Sequence, residues 1–165
     1  MGPVHTISII PTGMGAAGYT MPLPEQDEMF NSKKKMLENI VVDLGGRVAE
    51  ELIFHDITTG ASQDIKQATQ MARAMVTQYG MSEKVGMIQY GGDEDEVFIG
   101  RDFGHTKSYA DQTAALIDSE VKRIIDESYR KAKEILSQNE EVLHKCAALL
   151  IEKEKIGREE FEALF

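Results

Sequence analysis

The side chains best placed to do chemistry are carboxylates near the middle of the chain. Asp64 closes the segment Thr59-Gly-Ala-Ser-Gln-Asp64 and falls in the first turn of the helix that the next residues predict. Two readings of it stand. An acidic residue there interacts favourably with the positive end of the helix dipole. Alternatively, Asp64 stands one step before Ile65 at the edge of an apolar stripe, on a flank shared with Ala68, Met71 and Met75. From there it could face a semi-buried cleft as a metal ligand. Glu50 and Glu51, near the end of the preceding helix, compete for that role, because a helix-borne Glu downstream of a histidine pair is one known third ligand for zinc.

Other chemistries find no support. The 4 histidines, His5, His55, His105 and His144, are far apart, and none belongs to an H-E-x-x-H pair. The sequence holds no G-x-x-x-x-G-K-[ST] phosphate loop and no G-x-S-x-G nucleophile elbow. The single cysteine, Cys146, has no sequence partner for an internal disulfide, which fits a reducing compartment. No complete catalytic constellation is present.

The 165 residues suit one domain of ordinary size. With 18 Lys+Arg against 28 Asp+Glu, the net charge of −10 would repel a polyanion and excludes nucleic acid as the partner. No apolar run extends much beyond Cys146–Ile151, too short to span a bilayer, and no secretion signal opens the chain. The expectation is a soluble, acidic, intracellular domain. Met1-Gly2, running almost at once into a strand-like segment, resembles a cloning remnant.

The elements that must position the carboxylates follow from period and punctuation. All 4 prolines lie before residue 25, so the N-terminal stretch reads as strand and loop, with strands at Ile7–Ile10 and Gly18–Met21. Leu37, Ile40, Val41, Leu44, Val48 and Leu52 predict one amphipathic helix to about Phe54. Gly45-Gly46 would sit in its middle, each costing roughly 1 kcal/mol against alanine; a backbone packed close by would account for the pair, but ordinary helix packing is the favoured reading. A second helix, capped by Ser62 or a nearby threonine, buries Ile65, Ala68, Ala72, Val76 and Tyr79 and stops at Gly80. Val85–Tyr90 and Val97–Arg101 read as short strands around an acidic loop. Ser108 with Asp111 resembles a capping box for a long helix with Ala114, Ile117, Val121, Ile124, Ser128 and Ile135 inward. Leu143, Cys146, Ala147 and Leu150 face inward on the next helix, and Gly157 precedes a short amphipathic end.

Several stretches, in order, resemble one family. They are Ile7-Ser-Ile-Ile-Pro11, Gly18-Tyr-Thr-Met-Pro22, Leu44-Gly-Gly-Arg-Val-Ala-Glu-Glu-Leu52, Thr59-Gly-Ala-Ser-Gln-Asp64, Ala74-Met-Val-Thr-Gln-Tyr-Gly-Met81, Val97-Phe-Ile-Gly-Arg101 and Ile117-Asp-Ser-Glu-Val121. Together they are similar to the protease domain of the FtsH-type, membrane-anchored, ATP-dependent zinc metalloproteases. The resemblance implies a mainly α fold with a small β element, a helical bundle with short hairpins. It implies zinc held by the two histidines of H-E-x-x-H and by the aspartate of T-G-x-x-x-D, which falls on Asp64; Glu50 or Glu51 is the alternative. It implies that an unfolded polypeptide substrate adds as a strand along Gly18, Tyr19, Thr20 and Met21. Neighbouring subunits would form a hexameric ring.

The departure from the family is the missing H-E-x-x-H, which should precede the Ile7–Pro11 segment. The expectation is thus an N-terminally incomplete peptidase domain. Residues 1–104 would be the rest of the catalytic part and 105–165 a helical C-terminal part. The general-base glutamate, the ATPase module that uses ATP and the membrane anchor would belong to the parent, which would keep its protease domain on the cytoplasmic side or the organelle equivalent. The chain alone is expected to be inactive and to bind no stoichiometric zinc, because a lone carboxylate supplies neither a full ligand set nor the base. The rival expectation is a non-catalytic helical assembly module of the same fold.

Overall fold

The computed structural model describes residues 3–10, 18–23, 30–90 and 110–165. In chain order the elements are β1 (Val4–Ser8), β2 (Tyr19–Pro22), α1 (Lys33–Asp43), α2 (Gly45–Phe54), α3 (Ser62–Thr77), α4 (Asp111–Gln138), α5 (Glu140–Lys153), β3 (Lys155–Gly157) and α6 (Arg158–Glu162). The fold is mainly helical with one small sheet, as expected. Two compact units form, residues 1–31 with 133–165, and residues 32–132. The boundary expected at residue 104 lies outside the described residues.

The first unit is built on an antiparallel sheet of order β2-β1-β3. The expected hairpin is present, with Ile7 opposite Thr20 and Ser8 opposite Tyr19, but β1 ends at Ser8, short of Ile9 and Ile10. Gly18 is required by close approach: a Cβ there would collide with the Ser8 carbonyl oxygen. The third strand was not anticipated, because Lys155–Gly157 is too short to show a period. It exists because α5 ends on Glu154 in a left-handed conformation (φ 63°), which turns the chain back beside β1 and buries Ile156. The Glu154 carbonyl then accepts from the Ile9 amide at 3.0 Å. Gly157 starts α6, where the Glu160 carboxylate accepts its amide at 3.1 Å. Cys146, expected inside, is only half-buried, and burial pushes its thiol pKa up.

The second unit holds the main core: Met36, Ile40 and Leu44 against Ala68, Ala72, Met75 and Val76, with Val85, Ile117 and Ile124 beside them. Ser32 caps α1 by accepting from the Lys35 amide at 3.2 Å. The single helix expected from Leu37 to Phe54 is in fact two. It breaks at Leu44, whose amide donates back to Ile40 at 3.1 Å, and Gly45 opens the next helix. The glycine pair therefore occupies a break, where its low helix propensity costs little. No backbone crowds it: nothing lies within 4 Å of a Cβ built on Gly45.

Further corrections follow along this unit. The residue before α3 is Ala61, and no side chain caps the helix. Tyr79 is exposed, since α3 ends at Thr77 and Gly80 turns the chain with φ +59°. Val85 to Tyr90 forms no strand: residues 83–85 are a turn, and the Tyr90 amide bonds singly to the Thr77 carbonyl at 2.8 Å. The strand expected at 97–101 and the Ser108 cap lie outside the described residues. Along α4 the inward set is Ala114, Ile117, Glu120, Ile124, Ser128 and Ala132, while Ile135 is exposed.

Glu120 is the unexpected member. It is 1% exposed. Its carboxylate accepts from Ser82 Oγ at 2.7 Å, Lys84 Nζ at 3.1 Å, and Arg123 Nε and Nη2 at 3.1 Å each. The Arg123 bonds hold its pKa down to about 2, with Ser82 and Lys84 adding to that against the opposing effect of burial. A carboxyl with a depressed folded pKa stabilises the fold above its unfolded value of 4.5, and that stability is lost as pH falls toward 2. Glu120→Gln should cost roughly 1–3 kcal/mol at neutral pH and flatten the acid limb of the stability profile. Urea unfolding between pH 7 and 2.5 checks both. Ile117→Ala, which empties a fully buried position, should cost about 2–5 kcal/mol with an unchanged m-value.

Candidate functional site

Asp64 stands in the first turn of α3, where unpaired helix amides favour a negative charge. It lies one and two helical turns before Ala68 and Ala72, both 0% exposed, so it continues the buried stripe past its apolar end. There it meets the break between α1 and α2. A Cβ built on Gly46 would sit 3.8 Å from Asp64 Oδ2, and the Asp64 side chain is half-buried beside it. A second carboxylate, Asp43 at the end of α1, shares this neighbourhood. Burial, and then the negative charge of Asp64, push the Asp43 pKa up. Asp43 thus carries the cost of a neighbouring negative charge, which a cation would relieve. Asp64 therefore fits a metal ion as one hard oxygen donor.

The competing carboxylates are occupied. Glu50 accepts from the Thr58 hydroxyl at 2.6 Å on Oε1 and from the Thr58 amide at 3.2 Å on Oε2, and Arg47 Nη1 lies 3.4 Å from that same Oε2. The Thr58 hydroxyl, its amide and Arg47 together lower the Glu50 pKa. Glu51 accepts from the Tyr129 hydroxyl on α4. Among the described residues, no group of three or more His, Cys, Asp or Glu side chains is gathered for a metal.

Of the residues expected to bind substrate, Tyr19, Thr20 and Met21 lie in β2 and Gly18 just before it. Among the described residues, the order β2-β1-β3 makes this strand an edge, with Tyr19 36% and Met21 41% exposed. A strand with one unpaired side offers amides and carbonyls to an extended chain. Two participants escaped sequence reasoning. Asp43 reads as the polar face of its helix, and nothing in its spacing links it to Asp64. Thr58 is hidden inside a Thr-Thr-Gly break, where its hydroxyl has no period to mark it.

The class of the chain is set by comparison. Residues 1–164 match Peptidase family M41, and the chain belongs to that family. It is 53% identical over 163 residues to the ATP-dependent zinc metalloprotease FtsH 1 of Thermoanaerobacter sp. (strain X514), covering 99% of this chain and 26% of that protein. It is 54% identical over 162 residues to the ATP-dependent zinc metalloprotease FtsH of Caldicellulosiruptor bescii, covering 98% and 26% respectively. The FtsH protein of Ruminiclostridium cellulolyticum is 49% identical over 162 residues, with the same coverage. The chain thus spans about a quarter of the length of the curated relatives it matches. Among the described residues, no helix is long and apolar enough to cross a membrane.

The carboxylate of Asp64 bears little on the fold. Asp64→Asn should cost no more than about 1 kcal/mol, the worth of a first-turn charge. Thermal unfolding checks this, and a loss of several kcal/mol would give Asp64 a structural role instead.

Proposed function

We propose that these residues are part of the proteolytic domain of an ATP-dependent zinc metalloendopeptidase, with Asp64 as a zinc ligand. The observation that carries the reading is the placement of Asp64. It follows the buried stripe of α3, is half-buried against Gly46, and its negative charge acts on Asp43. The relatives' name supports zinc and ATP dependence. Two imidazoles from an H-E-x-x-H segment, not among these 165 residues, would complete the ligand set, and its glutamate would be the general base. Zinc, when bound, lowers the pKa of a coordinated water toward 7. Asp64 would supply one carboxylate oxygen to it, and its negative charge would balance part of the cation's.

The substrate of this reading is an unfolded polypeptide whose backbone adds to the β2 edge at Tyr19–Met21, recognised main chain to main chain and so with little side-chain specificity. An ATPase module would deliver it, and the whole protein would be a membrane-anchored hexamer with this domain on the cytoplasmic side or the organelle equivalent. The 165-residue chain alone is inactive in this account.

The test is metal analysis. The isolated chain should retain far less than one equivalent of zinc after dialysis and should cleave no casein. The protein carrying the H-E-x-x-H segment should hold close to one, and Asp64→Ala should remove it. One zinc per isolated chain, lost on Asp64→Ala, would overturn the inactivity. Undiminished zinc in the longer protein after Asp64→Ala would overturn the ligand assignment.

A further inference from the structure

We propose that Glu50 is a positioning residue: through Thr58 it ties the end of α2 to the start of α3 and so sets where Asp64 stands. The inference rests on the reading of Asp64 as a metal ligand. It differs from it in giving Glu50 a task that uses up both its oxygens.

The path from α2 to α3 is short and would otherwise be loose. His55 leaves α2 in a left-handed conformation, and Asp56 Oδ1 accepts the Ile57 amide at 2.8 Å. His55 to Gly60 are all exposed, and apolar burial begins again only at Ala61. What fixes this stretch is Thr58. Its hydroxyl donates to Glu50 Oε1 at 2.6 Å, and its amide donates to Glu50 Oε2 at 3.2 Å. The same hydroxyl oxygen accepts the Gly60 amide at 3.0 Å. Next in the chain, the Ser62 amide donates to the Thr59 carbonyl at 3.1 Å and the Ile65 amide to the Ala61 carbonyl at 3.0 Å. The hydrogen bonds therefore pass from α2 through Glu50, Thr58 and Gly60 into the first turn of α3, where Asp64 is.

Two features show that the tether is built rather than incidental. Arg47 Nη1, 3.4 Å from Glu50 Oε2, holds the carboxylate from within α2, and both side chains are largely covered, at 14% and 20% exposure. Gly60 leaves room for the pair: a Cβ there would lie 3.2 Å from Thr58 Oγ1 and 3.4 Å from Glu50 Oε1, tighter than ordinary contact. The N-terminus of α3 supplies no substitute, since no side chain caps it. A carboxylate accepting a hydroxyl and an amide at once is a strong, directional anchor.

The experiment uses amide hydrogen exchange on the 165-residue chain and zinc affinity on the protein carrying the H-E-x-x-H segment. Glu50→Gln and Thr58→Val should each speed exchange at Gly60 and Ile65 by about tenfold, the worth of one such bond. The two share the hydroxyl–carboxylate bond, while the Thr58 amide on Glu50 and the Gly60 amide on Thr58 are separate, so the double variant should speed exchange at Ile65 by less than the sum of the single effects. Thr58→Ser keeps the hydroxyl and should restore slow exchange, and Gly60→Ala should loosen the same amides by crowding the pair. Met75 and Val76, deep in α3, should exchange as before. In the longer protein Glu50→Gln should weaken zinc about 10- to 100-fold without abolishing it. Additive effects in the double variant, no rescue by serine, or unchanged zinc affinity would overturn the positioning role while leaving Asp64 as ligand. Complete loss of zinc in Glu50→Gln with full retention in Asp64→Ala would overturn the ligand reading itself.

Discussion

The packing of α1 against α3 is the constraint on which the rest of the second unit depends. Met36, Ile40 and Leu44 present one apolar stripe, and α3 answers with Ala68 and Ala72, small enough to bring the helices close, and with Met75 and Val76. Small residues at a helix crossing fix its rotation, since turning α3 would bury a polar neighbour and expose an alanine row. That rotation sets the face of α3 on which the residue one turn before Ala68 stands. That residue, Asp64, reaches past the end of the apolar seam toward the break at Leu44. A carboxylate in such a position is held by a core that it does not itself stabilise, an arrangement suited to a ligand.

The break matters as much as the seam. A helix continued through Gly45 and Gly46 would carry Asp43 and Glu50 on one unbroken spiral, fixing their relation to Asp64 by helical geometry alone. Splitting it at Leu44 leaves Asp43 at the end of one helix and starts Glu50 on another. Asp43 then meets the charge of Asp64, while Glu50 turns to Thr58. Three acidic residues close in sequence acquire three different environments, which a charge count or a periodicity cannot reveal.

Much of this was legible in the sequence where burial imposes a period. The stripes of α1, α3 and α4 appear as three- and four-residue spacings, and the hairpin shows in its prolines and glycines. Asp64 is marked by its position and by family resemblance, and it stands half-buried beside Gly46, one turn before Ala68. The misses come from short-range or polar causes. β3 has only three residues and depends on a left-handed Glu154 that no propensity favours. The segment at 85–90 has strand-forming residues but no neighbouring strand to pair with among the described residues, and tertiary context overrides propensity there. Glu120 occupies an inward position that a hydrophobic pattern assigns to an apolar residue; Arg123, one turn on in the same helix, makes it tolerable together with Ser82 and Lys84 from elsewhere in the chain.

The central claim is that α1, α2 and α3 together hold Asp64 where a zinc ion needs its third protein ligand. Anomalous diffraction at the zinc edge, on crystals of the zinc-loaded protein that includes the H-E-x-x-H segment, addresses it most directly. The account predicts a zinc peak about 2.0–2.2 Å from a carboxylate oxygen of Asp64, with the Glu50 carboxylate still on Thr58. A peak coordinated by Glu50 or Glu51, with the Asp64 carboxylate turned away from the metal, would contradict it.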